Sequence, residues 1–567
     1  MEEKIEQKPS LIEKITFLRN KNKLILYEYF LCSLFAAISW GYYTIKLGFH
    51  SYNIAKKYDF NLSGLTRKFT YLGKYRDFSD FQWRYFRGNY KLILYFAFIF
   101  ITLSQCVKRL CSFTVSKFFY LIIGVGYGYY LHGNKIFFLF LTLITTYLLC
   151  LLLPKIGSKI FVFLTWSICI IIKVTSEIYD GYSFEDFGIY TINEYSILGW
   201  NACFGLNMLK IISFNIEYKN AYEKKYENNY ILDLKKAKQH CESCKKGEFC
   251  LTCLKFVKID LEYFTFINFL IYIFYPPLYF SGPIILYHSF IFQWINFKES
   301  EHRKFLNKKK ILYIIRNIIT FFVFELFNHY IYINCYLTNK YNKFILNDEE
   351  KNFNYFDLAL YSFNNLTFLW LKFTVIWRTA RIWSWLDGIL TEENMNRCVY
   401  NNYCFEGFWR AWHRSFNVWI IRYIYIPLGG KNTKIFNMWI VFSFVALWHD
   451  LKLNLLIWGW FICFSLIPEI IVKNYFNQTK YAYLNDLFLY RFLKYSFCSF
   501  YIILMILANL IGFGMGSEGV IELTMKIVNL TSFTYFFKIL LFLIPSTVSM
   551  FYIRDLEKNI YGKNVNY

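Results

Sequence analysis

Apolar segments recur along almost the entire chain, and this pattern constrains its fold more than any single motif. We count about 13 of them, separated by polar loops. A helix needs about 20 residues to cross a hydrocarbon core about 30 Å thick, so we expect about 10 to 12 segments to cross the membrane and the rest to be re-entrant. Of the 567 residues, 56% are hydrophobic and 23% are aromatic. The sequence therefore predicts an all-α polytopic membrane protein.

The formal net charge of +24 does not indicate nucleic-acid binding. Most lysines lie in short loops between apolar segments, where basic residues set membrane topology and contact anionic head groups. We therefore expect the partner of this charge to be the lipid bilayer, and we expect no nucleic-acid partner.

Changes in polarity divide the chain into five parts. The second part includes a segment near 77–89 that alternates charged and aromatic residues, a pattern typical of an interfacial helix. The parts are a polar N-terminal tail (1–23), a first set of transmembrane helices (24–216), a cysteine-rich polar loop (217–260), a second set of helices (261–553) and a charged C-terminal tail (554–567).

The polar loop contains two Cys-x-x-Cys pairs. Four thiolates are the number that a structural zinc ion takes, and each pair has the usual knuckle spacing. Only five residues separate the two pairs, however, which is shorter than common zinc ribbons allow. Structural zinc, reversible palmitoylation and unmodified thiols are therefore alternative predictions for Cys241, Cys244, Cys250 and Cys253.

The apolar segment at 264–292 contains residues that interrupt helices. Pro276 and Pro277 are adjacent, and the sequence Ser281-Gly282-Pro283 follows. Proline lacks an N–H group and clashes with the preceding helical turn. We therefore expect a break that leaves backbone carbonyls unpaired at membrane depth, where a ligand or another helix can meet them.

Two histidines lie among apolar and aromatic residues between Phe405 and Asp450. His413 and Asn417 are four residues apart, a spacing that predicts one helical face for both side chains. His449 follows the apolar run Met438–Trp448, which at about 1.5 Å per residue covers about half of a hydrocarbon core. His449 is therefore expected inside the membrane profile or, alternatively, in a wet turn where the helix ends.

This stretch resembles the membrane-bound O-acyltransferase superfamily and, within it, the glycerol-uptake-protein branch, which is related to Hedgehog acyltransferase. The resemblance rests on FWRAWHRSFNVWIIRYIYIPLGG and the following FVALWHD. Supporting blocks cover nearly all of the chain beyond its first 75 or so residues: DFQWRYFRGN at 80–89, Trp200-Asn201, YPPLYFSGPI at 275–284, WSWLDGILTEENMNRCVYNN at 383–402 and ANLIGF at 508–513.

The resemblance implies a helical bundle around a central tunnel that admits acyl-CoA from the cytosolic side. It makes 261–553 the catalytic core and matches His449 to the superfamily's near-invariant histidine, with His413 at its second polar position. An imidazole can take the proton of an acceptor hydroxyl as that hydroxyl attacks a thioester. Asn417 and Asp450 are then expected to support the site or to stabilise the oxyanion.

Three neighbours of His413 are candidate ligands of acyl-CoA. Arg410 and Arg414 carry guanidinium groups, which bind phosphates well, although such arginines also anchor helices at the membrane interface. Trp409 lies beside them. No serine or cysteine occupies a nucleophile-elbow context, so we expect direct transfer with acyl-CoA as co-substrate and no required cofactor.

The resemblance implies an acyl-CoA-dependent O-acyltransferase of the endoplasmic reticulum membrane. Its expected acceptor is the lyso form of a glycosylphosphatidylinositol (GPI) anchor, remodelled with a long acyl chain. Two other classes stay open. One is a glycerol transporter, although we find no internal repeat of the kind common in transporters. The other is a catalytically inactive scaffold that binds lipid.

Overall fold

The described part of the chain folds almost entirely into helices. The computed structural model describes residues 23–57, 64–66, 75–190, 194–223, 250–297, 306–337, 355–476, 479–528 and 533–561. The first ten helices are α1 (Lys23–Lys57), α2 (Phe81–Gly88), α3 (Tyr90–Leu110), α4 (Phe113–His132), α5 (Ile136–Ile156), α6 (Ser158–Ile178), α7 (Trp200–Tyr222), α8 (Leu251–Leu254), α9 (Phe266–Ile273) and α10 (Tyr287–Ile295).

The second half continues in the same way. Its helices are α11 (Lys308–Tyr330), α12 (Ile333–Leu337), α13 (Tyr355–Leu386), α14 (Phe405–Ala411), α15 (Arg414–Ile420), α16 (Lys434–His449), α17 (Leu453–Phe476), α18 (Phe488–Phe513), α19 (Gly516–Val528) and α20 (Phe533–Tyr561). The strands of the described ranges are β1 (Leu65–Thr66) and β2 (Arg76–Asp77), which pair antiparallel.

Within the described ranges, eight helical stretches are long and apolar enough to cross a membrane. One of them, Phe113–Ile156, comprises α4 and α5 joined by a turn at Gly133–Lys135. The prediction of an all-α polytopic membrane protein is confirmed. The prediction of 10 to 12 crossings included segments that are not among these eight stretches. One of them is α13, which spans 32 residues but buries Asn364, Asn365 and Lys372 inside the protein.

The helix predicted to break at its prolines does break. Helix α9 ends before the prolines, α10 begins after them, and Gly282 between them has a φ of +115°. Side chains of other helices pair with the freed backbone: Lys210 Nζ donates to Ile273 O at 2.9 Å, and Ile284 N donates to Ser415 Oγ at 3.0 Å. The break is therefore a fixed part of the fold, as buried backbone polar groups require partners.

Asp387, just after α13, organises a closed polar network in the core. Its carboxylate accepts hydrogen bonds from Tyr120 at 2.7 Å, Tyr275 at 2.6 Å and Ser104 at 2.6 Å, and it lies 3.1 Å from Lys108 Nζ. All five residues are buried. Because a buried charge is costly unless it is paired and hydrogen-bonded, this network ties α3, α4 and the proline break to the end of α13.

Helix α2 forms within the segment near 77–89. Asp80 caps it by accepting a hydrogen bond from Trp83 N at 2.6 Å. The Trp83 ring is fully buried and packs edge-on against Phe324 of α11. Helix α2 thereby presents Gln82 and Tyr85 to the interior cavity described below.

Candidate active site

His413 lies at a break between two short helices. Helix α14 ends at Ala411, Trp412 is extended, and His413 has a φ of 42° and a ψ of 57°, so it is left-handed. The single helical face predicted for His413 and Asn417 is therefore wrong, because the chain turns at the histidine. A non-glycine residue in this conformation is strained and persists only where its surroundings hold it.

Asn394 supplies that support. Its backbone carbonyl accepts a hydrogen bond from Arg414 N at 3.0 Å, and its side-chain Oδ1 lies 2.9 Å from His413 Nδ1. An amide oxygen can only accept, so Nδ1 carries the proton and Nε2 keeps its lone pair. The two residues are 19 positions apart in the sequence. No spacing rule could have paired them, although Asn394 lies inside one of the blocks that carry the family resemblance.

Aromatic rings fix the plane of the His413 imidazole. Trp377 stacks on it with 4.4 Å between ring centroids and an interplanar angle of 21°, and Phe373 meets it edge-on at 5.3 Å. Both aromatic residues belong to α13. The ring is therefore held on its face and at Nδ1, which leaves Nε2 as the nitrogen that a ligand can use.

His449 is the last residue of α16, and aromatic rings pack around its imidazole. Phe513 and Trp458 contact it edge-on at 5.2 Å and 5.9 Å between centroids. Neither ring nitrogen bonds to any residue in the described ranges. Asp450, the next residue, pairs with the exposed Lys452 at 2.6 Å. The polar turn expected at the helix end therefore exists, but His449 itself faces inward.

Both histidines line one cavity of about 1000 Å³. Helices α2, α3, α4, α6, α7 and α13 and the proline break form its walls, which are mainly apolar and aromatic. Its other polar side chains include Gln82, Asn89, Lys173, Glu177, Asn201 and Ser281. A long apolar chain and a polar group can therefore occupy this space together, next to two imidazoles.

Ser281 is a functional candidate that the sequence analysis did not identify. Its hydroxyl lies in the cavity wall on the proline break and has no hydrogen-bond partner among the described residues. A buried hydroxyl without a partner is uncommon, because it loses its hydrogen bonds to water. The Ser281 O–H is available to a ligand.

The other predicted site residues flank the cavity without lining it. Asn417 Nδ2 donates to Trp409 O at 2.9 Å, which braces the break at His413. The Trp409 ring packs against Trp458 at 5.4 Å. Arg410 is exposed and pairs with Glu406, and Arg414 lies beside it, with its Nη1 3.5 Å from Arg410 O. These residues support the site from outside or offer charge at its surface.

The cysteine prediction falls partly outside the described residues, since Cys241 and Cys244 lie in the stretch 224–249. Cys250 and Cys253 flank the start of α8, where Cys250 Sγ accepts from Cys253 N at 3.2 Å. Within the described ranges, no group of three or more histidine, cysteine, aspartate or glutamate side chains could hold a metal ion. The described part of the chain thus gives no support for structural zinc.

The fold and the site are those of an integral membrane protein, with a helical bundle around a cavity that carries two histidines. The model of the membrane-bound O-acyltransferase family, MBOAT, matches residues 135–517, and the chain belongs to this family. The resemblance noted from the sequence is confirmed. The protein is accordingly a multi-pass membrane protein and an acyl-CoA-dependent O-acyltransferase.

Two fungal relatives are similar in sequence to most of this chain, and a mouse relative is similar to about a third of it. The membrane-bound O-acyltransferase GUP1 of Candida tropicalis is 32% identical over 453 residues, which are 80% of this chain and 74% of the relative. GUP1 of Saccharomyces cerevisiae is 30% identical over 503 residues, 86% and 84% of the two chains. The protein-cysteine N-palmitoyltransferase HHAT of Mus musculus is more distant, at 27% over 199 residues, 34% of this chain and 37% of the relative.

Proposed function

We propose that this protein transfers a long-chain acyl group from acyl-CoA to a hydroxyl of a lipid acceptor in the endoplasmic reticulum membrane. The proposed acceptor is the lyso form of a GPI anchor, whose remodelling the added chain would complete. The observation that carries the proposal is the shared cavity of about 1000 Å³ with His413 and His449 in its wall. Its apolar walls suit a fatty chain, and its polar groups suit a hydroxyl.

His449 is the proposed general base. It takes the proton of the acceptor hydroxyl while that oxygen attacks the thioester carbonyl, which forms a C–O bond and a tetrahedral oxyanion. The intermediate then collapses, the C–S bond breaks, and the leaving thiolate takes the proton back from His449. A base needs one ring nitrogen with a free lone pair, and the His449 nitrogens bond to no described residue.

His413 is proposed to orient the acceptor. Its Nδ1 is bonded to Asn394, so the neutral ring offers Nε2 as an acceptor for a substrate O–H. The Ser281 hydroxyl is proposed as a donor to the oxyanion, since such donors lower the barrier most when they are fixed before reaction. Asn417 is assigned a supporting role because its amide donates to the Trp409 carbonyl.

The phosphates of coenzyme A are proposed to stay outside the cavity. Among the described residues, the cavity wall carries one cation, Lys173, and a carboxylate neutralises it. Arg410 and Arg414 lie next to His413 in sequence but outside the cavity, where Arg410 is exposed. Guanidinium groups there suit the anionic part of acyl-CoA, while its pantetheine and acyl chain reach inward.

Purified protein incubated with labelled palmitoyl-CoA tests the proposal. Parallel reactions contain lyso-GPI, a lysophospholipid or no acceptor, and boiled protein serves as the control. We expect label in the GPI product and little in the other reactions. Transfer to the lysophospholipid alone would refute the proposed acceptor, and the absence of transfer to every lipid would refute the proposed reaction.

A further inference from the structure

Trp448, the residue before His449, links α16 to two other helices. Its indole Nε1 donates a hydrogen bond to the backbone carbonyl of Gly205 on α7 at 2.9 Å. Its ring also packs against Phe416 of α15, with 4.4 Å between the ring centroids. Gly205, Trp448 and His449 all line the cavity. The end of α16 is therefore tied to α7 and α15 at the residue next to the proposed base.

His449 depends on such a tie for its position. It is the last residue of α16, and helix ends fray. Neither of its ring nitrogens bonds to a described residue, so aromatic contacts locate the imidazole, and the shortest of them joins it to Trp448 at 4.8 Å between centroids. A general base works only within hydrogen-bond reach of the proton that it takes. The placement of Trp448 therefore sets where the base can act.

A glycine at position 205 lets the indole come this close. Gly205 lies inside α7, where glycine destabilises a helix relative to alanine. A Cβ atom added at Gly205 would lie 3.3 Å from Trp448 Nε1 and 3.8 Å from Trp448 O. The first of these contacts is tighter than ordinary van der Waals contact, so the ring would have to move by a few tenths of an ångström. Even a methyl group would thus push on α16 beside His449.

A second tryptophan repeats this arrangement one turn further along α7. Trp419 of α15 is fully buried, and its Nε1 donates to Leu209 O at 2.9 Å. Helix α15 begins directly after His413. Positions four residues apart lie on the same face of a helix, so one face of α7 holds both elements that carry the histidines. Helix α7 is the common support against which the two imidazoles are placed.

We infer that Trp448 is a positioning residue for His449, and that position 205 is a glycine because its carbonyl must meet the Trp448 indole. The inference rests on the proposed function, in which His449 is the general base, and adds the residues that fix this base in place. The contact acts on the location of the imidazole and not on the affinity for substrate. It should therefore change kcat more than KM.

The first test measures kcat and KM with palmitoyl-CoA and lyso-GPI. Gly205→Ala displaces the indole, and Trp448→Phe removes its hydrogen bond. We expect each substitution to lower kcat about 5- to 30-fold, as for loss of one hydrogen bond with a small displacement of the base, and to change both KM values by less than about twofold. Adding Gly205→Ala to Trp448→Phe should cost less than about a further twofold, because the phenyl ring lacks the indole nitrogen that the methyl group would meet.

Two control variants make the same chemical changes elsewhere. Gly41→Ala adds a methyl group inside α1, where the added Cβ meets no described atom within 4 Å. Trp460→Phe removes an indole hydrogen bond to Ser443 of α16, at 3.0 Å, and Trp460 does not line the cavity. We expect both controls to keep kcat within about twofold of the wild type. An equal loss in the controls, a higher KM with unchanged kcat, or full additivity of Gly205→Ala and Trp448→Phe would overturn the inference.

A second measurement needs no substrate. The protein is isotopically labelled at the histidine ring carbons, and the NMR signal of His449 is assigned by its absence in His449→Ala. Gly205→Ala leaves every aromatic ring in the chain, so a shift or splitting of this signal reports a displaced imidazole, whereas Gly41→Ala should leave it unchanged. An unchanged His449 signal in Gly205→Ala would overturn the inference. A wild-type protein that transfers to no lipid would refute the proposed reaction, and the NMR comparison would still test the positioning.

Discussion

The Asp387 network and the histidine cavity are both polar regions inside a helical membrane protein, but they treat their polar groups in opposite ways. Four side chains pair with the Asp387 carboxylate, and all are buried. In the cavity, neither His449 nor the Ser281 hydroxyl has a partner among the described residues. Since unpaired buried polar groups destabilise a fold, the comparison separates a region built for stability from one kept open for substrate.

Removing the charge of Asp387 should have the largest effect on the fold. Asp387→Asn leaves the Lys108 ammonium buried without its counter-charge, and we expect it to lower the free energy of unfolding by about 3–5 kcal/mol. Thermal unfolding of the detergent-purified protein measures this. Tyr275→Phe, which removes one of the hydrogen bonds, should cost about 1–2 kcal/mol. An Asp387→Asn protein of unchanged stability but without activity would reverse the comparison.

Changing Asn394 should affect catalysis more than stability. Asn394→Leu removes the acceptor for His413 Nδ1, and loss of one such bond predicts a decrease in kcat of about 2- to 10-fold. Asn394→Asp keeps an acceptor oxygen at the same position and should retain more activity than Asn394→Leu. Equal activity of the two variants would show that the His413–Asn394 bond does not position the ring.

The smallest effect is expected at the outer support of the Asn394 segment. Arg397 pairs with Glu557 of α20 at 2.7 Å, and Arg554 donates to Asn401 O at 2.7 Å. A partly exposed ion pair stabilises by about 0–1 kcal/mol, so Arg397→Met should lower the rate of acyl transfer by less than about threefold. A tenfold loss would mean that α20 controls the cavity directly.

The sequence alone predicted the parts of this arrangement that depend on local chemistry. The break at Pro276 and Pro277 follows from proline geometry. His449 and His413 stand out in the sequence because ionisable groups are rare in apolar stretches. The helical face shared by His413 and Asn417 was wrong, since the left-handed turn at His413 is imposed by Asn394, a tertiary contact.

Other features could not be predicted because they depend on helices that are distant in sequence. Lys173 and Glu177 are an ordinary i, i+4 pair in the sequence. Only the packing of α6 against the cavity shows that both side chains line it. Ser281 carries no signal in the sequence, because only the fold places its hydroxyl in the cavity wall. Arg410 and Arg414, which the sequence placed beside the chemistry, lie outside the cavity because the chain turns at His413.

The most direct test of this account measures acyl transfer and thermal unfolding together in His449→Ala. The matched control is His50→Ala, which removes a histidine that does not line the cavity. We expect His449→Ala to keep the wild-type unfolding temperature and to lose at least about 100-fold in transfer rate, as for loss of a general base, while His50→Ala stays active. A His449→Ala protein that transfers at the wild-type rate would contradict the assignment of the cavity as the reaction chamber.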